Sequence, residues 1–393
     1  MKIPVIVDAI RTPMGRSKGG VFRNIRSEKL GSHVVQSILD RNPSLDPSEV
    51  DEVIFGCANQ QKEQGFNVAR FISLLTDIPA ETSAKTINFL CGSSLEAIND
   101  ASRQIMIGEG KAFVCGGVEH MGHIPMDCNY DENPEFCLTS ARASQVMGYT
   151  TEYLSIVNDV SREDQDAFSC RSHMKAASSE WNEIIPTPAH NSIDGSYFLC
   201  DYDEPVRADT SVEKLAELMP VFNPEGTVTA GNSSSISDGV AVLLVLEKEY
   251  AISLGFIKAN MVEVKAFNRS GVSPAIMGYG PVPAITNLLE TTLPSIHGIK
   301  LSLDDIDVIE INEAFAAQTL VCIRDLGLED KIDDMVNLKG GAIALGHPLG
   351  CSGARITTTL YHQMIENDLE FGIATMCVGL GQGAATLFHR ASE

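Results

Sequence analysis

Ser302-Leu303-Asp304-Asp305-Ile306-Asp307-Val308-Ile309-Glu310-Ile311-Asn312 restates, with changes, an earlier stretch of the same chain, Ser44-Leu45-Asp46-Pro47-Ser48-Glu49-Val50-Asp51-Glu52-Val53-Ile54-Phe55-Gly56. Each reads as a short acidic helical segment feeding a β-branched strand. Setting Asp51 on Asp307 gives an offset of 256, which carries position 91 onto 347. Cys91 breaks an apolar run in Asn88-Phe89-Leu90-Cys91-Gly92-Ser93-Ser94, and His347 does the same in Gly340-Gly341-Ala342-Ile343-Ala344-Leu345-Gly346-His347-Pro348. The two turns therefore take equivalent places in two similar halves. After Cys91 comes a helical pattern with Leu95, Ile98, Ala101 and Ile105 on one face, then a strand over 111–115 and the glycines Gly116 and Gly117. After His347 comes a similar helical stretch over 352–366, then a strand over 371–377 and Gly379. Such alternation predicts a layered α/β architecture with two similar sheets, whose pseudo-symmetry brings the equivalent turns face to face.

A third break of the same kind carries Cys377, in Ala374-Thr375-Met376-Cys377-Val378-Gly379-Leu380-Gly381-Gln382-Gly383. If the three turns meet, one pocket holds two thiols and an imidazole. That set can form a thioester on one cysteine while the other moves a proton at carbon, which is what making or breaking a carbon–carbon bond beside a carbonyl requires. The competing reading of a free cysteine is a small buried hydrophobe. Cys57, Cys115, Cys128, Cys137, Cys170, Cys200, Cys322 and Cys351 receive it. No Cys-x-x-Cys pair occurs, so neither a zinc site nor a thioredoxin-like redox pair is indicated, and ten cysteines in 393 residues are too few for a disulfide scaffold. A reducing cytosol fits that usage. His120 and His123 stand three apart without further spaced ligands, so no metal is expected. The string Gly379-x-Gly381-x-Gly383 is followed by only ten residues, too few for the βαβ unit of a dinucleotide loop.

Composition bounds the function further. With 44% hydrophobic residues the chain can bury a large core, and its length suggests two or three domains. The N-terminal run reaches Asp8 too soon for a signal peptide, and no apolar run approaches a membrane span, 240–246 being among the longest. These features predict a soluble, cytoplasmic protein. A formal charge of −23 disfavours nonspecific contact with nucleic acid or anionic membrane, so an anionic ligand would need a local basic patch. Between the halves, over about 119–235, acids, Asn, Ser and Pro accumulate and the repeat has no partner. Ser161 before Glu163 and Asp164 is a helix start there. Enough aromatics and aliphatics remain to predict a folded lid or ligand-binding insert.

Six blocks together carry a resemblance over the whole chain: 7–15 (VDAIRTPMG), the Cys91 turn, 226–234 (GTVTAGNSS), Asn312-Glu313-Ala314-Phe315, the His347 turn and the Cys377 turn. Their order resembles that of the thiolases, and within them the thiolase subunits of bacterial fatty-acid β-oxidation complexes. Arg16-Ser17-Lys18-Gly19-Gly20 and Met277-Gly278-Tyr279-Gly280-Pro281-Val282-Pro283 strengthen that likeness. The resemblance implies two βαβαβαββ halves in a five-layer α/β/α/β/α core with an inserted loop domain that binds coenzyme A. The domains then run over 1–118 plus 236–262, over 119–235 for the loop domain, and over 263–393. It implies an acetyl-CoA C-acyltransferase that cleaves 3-ketoacyl-CoA with CoA through an acyl-Cys91 intermediate in fatty-acid β-oxidation.

By the same resemblance Cys91 is the nucleophile, with its thiol pKa lowered by a helix N-terminus and a nearby imidazole. His347 is the base and Cys377 the second acid/base. The backbone N–H groups of Cys91 and Gly379 form one oxyanion hole, and His347 with a water held by Asn312 forms the other. Arg207 is expected near the adenine, Ser234 on the pantetheine, and Met147 and Phe315 along its arm. CoA is a substrate, with no tightly bound cofactor and no metal. A homodimer is implied, docked in a heterotetramer with a subunit carrying hydratase and 3-hydroxyacyl-CoA dehydrogenase activities. Two departures touch the phosphates: many relatives read Leu-Arg-Pro where this chain has Leu218-Met219-Pro220, and a histidine common before Met147 is Val146. Alternatives are a biosynthetic acetoacetyl-CoA thiolase and a noncatalytic lipid-carrier or scaffold subunit. A 3-ketoacyl synthase pairs its cysteine with two histidines and lacks the second cysteine, so Asn312 and Cys377 argue against it.

Overall fold

In the computed structural model, which describes residues 1–390, both copies of the opening repeat fold as acidic turns that launch strands. Asp46 accepts the Ser48 N–H at the head of the 3₁₀ turn Pro47–Glu49, and Ser302 with Asp305 forms a capping box around Leu303–Asp305. The turns lead into the strands Glu52–Gly56 and Val308–Ile311. The aspartates after them do the same work in each half. Asp51 accepts the N–H groups of Lys111 and Ala112 at 2.7 and 2.9 Å, and Asp307 accepts those of Glu370 and Phe371, both at 2.8 Å. Each carboxylate thus ties its own strand to the start of the next one, Ala112–His120 or Phe371–Val378.

Glu52–Gly56 pairs in parallel with Ser83–Ile87 and Ala112–His120, and the latter continues antiparallel through Ser237–Glu247 to Pro4–Arg11. The second half repeats the plan. Val308–Ile311 runs parallel to Phe371–Val378, which leads antiparallel through Gln382–His389 to Val262–Gly271. Val336 makes a single parallel bridge to Ile309, in the place that Ser83–Ile87 holds in the first half. The two expected sheets also share a seam. Val5 pairs with Glu263 and Ile6 with Val262, so hydrogen bonding runs unbroken through nine strands, with the two-residue strand Gly15–Arg16 added beside Ser237–Glu247 as a tenth.

Three apolar clusters fill the interfaces of five layers, the middle one lining both sides of the central helices. Leu30, Val34, Val35 and Ile38, spaced three and four apart on the helix Ser27–Arg41, pack on one face of the first sheet. The helices Ser93–Ile107 and Ser352–Glu366 lie between the sheets, joining Leu95, Ile98, Ile105, Ile356 and Leu360 to strand residues of both halves. The outer face of the second sheet is covered by Ala284, Ile285, Leu288, Leu293 and Ile323. This is the five-layer α/β/α/β/α arrangement that the resemblance implies.

The two central helices each span 15 residues and begin 259 positions apart, as do the strands that follow them. The offset of 256 read between the acidic turns has therefore grown by three. Cys91 precedes its helix by two residues and His347 by five, with the 3₁₀ turn Leu349–Cys351 filling the difference. The turns correspond, but the residue facing Cys91 in the repeat is Gly350.

Between His120 and Ser237 lie the helices Met147–Val157 and Arg162–Ser178 and a hairpin of Thr187–His190 with Tyr197–Cys200. Ser161 caps the second helix by accepting the Asp164 N–H. Arg11 fastens this region to the first strand. Its guanidinium donates to Glu183 at 2.6 Å and, through two nitrogens, to Asp203 at 2.7 and 2.9 Å, all three side chains being buried. Five of the eight cysteines read as buried hydrophobes are buried: Cys57, Cys115, Cys200, Cys322 and Cys351. Cys128 and Cys170 are half-buried and Cys137 is exposed, which corrects that reading. Cys137 sits on the four-residue helix Phe136–Thr139, which buries none of its residues. No helix among the described residues is long and apolar enough to cross a membrane.

Candidate active site

Cys91 stands between a strand end and a helix start, and the backbone before it is bent hard. Leu90 has φ +47°, a conformation L-residues adopt at a cost. Local bonds hold it there. Asn88 accepts the Leu90 N–H at 2.9 Å and donates to Ala58 O at 2.9 Å, while Ser93 Oγ accepts the Phe89 N–H at 2.9 Å. The bend aims the thiol away from the helix and toward the end of the strand Phe371–Val378, where the backbone N–H groups of Gly379 and of Cys91 itself point at sulfur. The glycine at 379 permits that approach, since a Cβ there would stand 2.9 Å from Leu90 Cδ1.

Cys377 is the penultimate residue of the same strand, opposite Gly383, and is buried in a small cluster with Met277 and Ala314, against which Met147 and Phe315 pack. Burial pushes its thiol well above the usual range, and the charge of a Cys91 thiolate pushes it further. Asn312 bonds through its N–H to Thr375 O on this strand at 3.0 Å, and its Nδ2 lies 3.4 Å from His347 Nε2. The Cys91, Cys377 and His347 turns are thus joined through direct neighbours.

The imidazole's protonation follows from its partners. Asn312 Nδ2 can only donate, so Nε2 carries the lone pair. On the other side Ser352 Oγ lies 2.5 Å from Nδ1 and 3.0 Å from Pro348 O. With its single proton donated to Pro348 O, the serine accepts Nδ1–H. Burial and the facing Arg355 push the His347 pKa down to about 3, which keeps the ring neutral. The result is a neutral imidazole whose Nε2 lone pair faces Asn312 at 3.4 Å.

The Asn-Glu-Ala-Phe segment distributes its work residue by residue. Glu313 is fully buried and accepts from Ser172 Oγ at 2.7 Å, Asn337 Nδ2 at 2.8 Å and the Ile343 N–H at 3.2 Å, fixing the segment's path. Ala314 O accepts both the N–H and the hydroxyl of Ser234, at 3.0 and 2.9 Å. Phe315 meets Phe222 edge-on with ring centres 6.2 Å apart. Arg207 lies elsewhere on the insert, exposed, with its N–H on His173 Nδ1 at 3.2 Å. The His120 and His123 rings stack 3.7 Å apart, and their nitrogens are engaged with Asp238, Phe22 O, Glu63 and Arg23 O.

The expectation of a lowered Cys91 pKa is corrected. Burial raises it to about 11, outweighing the two backbone donors, and Glu119 adds to the rise. Cys91 thus rests as a neutral thiol, and attack by its sulfur would require a base to take the proton. His347→Asn is therefore expected to slow alkylation of Cys91 at neutral pH by about 100-fold. Because the lone thiol ionises only near pH 11, the variant's alkylation rate should still be climbing in strong alkali. An unchanged rate at pH 7 would refute the pairing.

Two residues of the site carried no signal in the sequence reading. Ser352, which fixes the imidazole tautomer, shows in the sequence only as the start of a helix. Arg355, one turn further on, is fully buried beside Glu310 and sets the charge that faces His347.

Known proteins match this chain from end to end. The model for the thiolase N-terminal domain matches residues 4–249 and that for the thiolase C-terminal domain residues 258–390. The chain belongs to the thiolase family. It is 51% identical to a 3-ketoacyl-CoA thiolase of Pseudoalteromonas atlantica over 395 residues, 99% of this chain and all of that one. With a protein of the same name from Pectobacterium carotovorum it shares 52% over 397 residues, again 99% of this chain and all of the relative. Among solved structures, Bacillus anthracis acetyl-CoA acetyltransferase superposes with TM-score 0.88 at 35% identity, covering 100% of this chain and 99% of that one. Human mitochondrial 3-ketoacyl-CoA thiolase in complex with CoA gives 0.86 at 31% identity, with 99% and 98% covered.

Proposed function

We propose that this protein cleaves 3-ketoacyl-CoA with CoA, giving acetyl-CoA and a shortened acyl-CoA. The observation that carries the reading is the convergence of three turns: backbone donors of Cys91 and Gly379 trained on the Cys91 sulfur, the buried Cys377 thiol beside it, and a neutral His347 held through Asn312 to the strand that bears Cys377. Cys91 Sγ attacks the 3-keto carbon while His347 Nε2 takes the thiol proton. The N–H groups of Cys91 and Gly379 hold the resulting oxyanion. Breaking the C2–C3 bond leaves an acyl-Cys91 thioester and the enolate of acetyl-CoA, to which Cys377 gives its proton. His347, now protonated, and Asn312 stabilise the enolate oxygen. The Cys377 thiolate then takes the proton of the incoming CoA thiol. CoA sulfur attacks the thioester, the acyl group leaves as acyl-CoA, and the proton held by His347 returns to Cys91.

The insert over 119–235 is assigned to CoA, with Arg207 toward the adenine and Ser234, Met147 and Phe315 along the pantetheine. The position of Met147 and Phe315 against Cys377 supports the inner end of that path. A cytoplasmic homodimer, associated with a hydratase and 3-hydroxyacyl-CoA dehydrogenase subunit, completes the reading. Such docking would raise the effective concentration of 3-ketoacyl-CoA at the site.

Thiolysis measured over 3-ketoacyl-CoAs of increasing chain length tests the proposal. Turnover of substrates longer than acetoacetyl-CoA is expected, and absence of acyl-CoA product with every substrate would overturn it. Because the steps run in reverse as a condensation, activity confined to acetoacetyl-CoA would instead support the biosynthetic reading, which the likeness to an acetyl-CoA acetyltransferase favours.

A further inference from the structure

Glu119 sits on the strand Ala112–His120, 1% exposed, and takes no part in the steps above. Its carboxylate nonetheless gathers donors from both halves of the molecule. Oε2 accepts the N–H of Ala58 and the N–H of Gly350, each at 2.8 Å. Oε1 accepts Gln64 Nε2 at 2.7 Å and the Asn59 N–H at 3.2 Å, with Cys57 Sγ at 3.8 Å. Gln64 is itself held, accepting the His120 N–H at 2.6 Å.

The two amides on Oε2 lead to different turns of the site. Ala58 O receives Asn88 Nδ2, the residue that also braces Leu90 before Cys91. Gly350 lies three residues after His347, in the turn that runs into Ser352 and its bond to the imidazole. The segments approach as closely as backbone allows. A Cβ on Gly350 would stand 2.6 Å from both Ala58 N and Cys57 Cα, and 2.8 Å from Glu119 Oε2. One oxygen thus clamps the segment that braces the Cys91 turn to the His347 turn, at the place where the repeat sets Gly350 against Cys91.

We propose that Glu119 is a positioning residue that sets the separation of the Cys91 and His347 turns by binding the Gly350 amide of the second and the Ala58 amide of the segment that braces the first through Asn88. The proposal rests on the function given above. The clamp also carries a charge into the site. Cys91 faces Glu119 as its charged neighbour and Cys377 as its titratable one. His347 faces Arg355, and Cys351 beside Gly350 faces Arg355, Arg11 and Glu119. Removing the Glu119 charge therefore favours the Cys91 thiolate even as the geometry is lost.

Two substitutions separate reach from charge. Glu119→Asp keeps the charge and shortens the side chain by one carbon. It is expected to lower kcat of thiolysis by about 100-fold, the scale of a misplacement near 1 Å, with little change in KM and with the pH midpoint of Cys91 alkylation unmoved. Glu119→Gln should lose kcat similarly but move that midpoint to lower pH. Wild-type kcat in the aspartate variant, or an unmoved midpoint in the glutamine variant, would overturn the assignment. If either variant fails to fold, hydrogen exchange on the wild-type protein decides. The amides of Ala58 and Gly350 should exchange as slowly as those of the adjoining strands, and rapid exchange at both would overturn the clamp. Should the wild-type protein show no thiolysis, the alkylation midpoints and exchange rates remain readable, so failure of the functional reading is told apart from failure of this one.

Discussion

Cys91→Ala is expected to lower thiolysis by about 10⁴- to 10⁶-fold, the loss that follows when a nucleophile acting as part of a unit is removed. The thiol is the atom on which both backbone donors converge, so no neighbour can replace it. Cys377 lies close by, but it is buried in an apolar cluster and its ionisation is opposed by burial and by Cys91. The check is direct: incubation with acyl-CoA, then peptide mapping, should find the acyl group on Cys91 in the native protein and on no cysteine in the variant. Label appearing chiefly on Cys377 or Cys115 would move the nucleophile elsewhere.

Cys377→Ala should cost about 10²- to 10⁴-fold in turnover, as expected for loss of a positioned general acid and base, and it should divide the reaction. Acylation of Cys91 from a simple acyl-CoA needs only the first thiol, His347 and the oxyanion donors, so it should persist. Exchange of the acetyl-CoA methyl protons with solvent needs a base at carbon, so it should stop. Mass spectrometry reads the first and proton NMR in deuterated buffer the second. Exchange at the native rate in this variant would remove Cys377 from its role.

The halves of the fold were legible because each is written twice. The acidic turns at 46–49 and 302–305 announce their strands by composition, and the helix Ser352–Glu366 has the bounds its periodicity predicts. The offset between the acidic turns falls short by three residues at the site because the second half spends extra residues on the turn Leu349–Cys351. Hydrophobic periodicity says nothing about such an insertion. The cysteines at 91 and 377 stood out because glycine and serine surround them. The Cys91 pKa was misread because a helix start is a local feature, while the desolvation that overrides it comes from strands and helices of both halves. Glu119 was hidden for a similar reason. Its partners lie at 58, 59, 64 and 350, so only the folded chain brings them to one carboxylate.

The seam between the sheets consists of the pairs Val5 with Glu263 and Ile6 with Val262. Cys91 comes from one side of it, and His347, Asn312 and Cys377 from the other. With the roles proposed above, neither half contains a working centre, so catalysis would report on how the halves are docked rather than on whether each is folded. A lesion that lets them slide by a fraction of a residue would silence the enzyme while leaving its helix and strand content intact. Activity is in this sense a finer gauge of alignment across the seam than any spectroscopic measure of secondary structure, and inactive variants that look native belong first to this class.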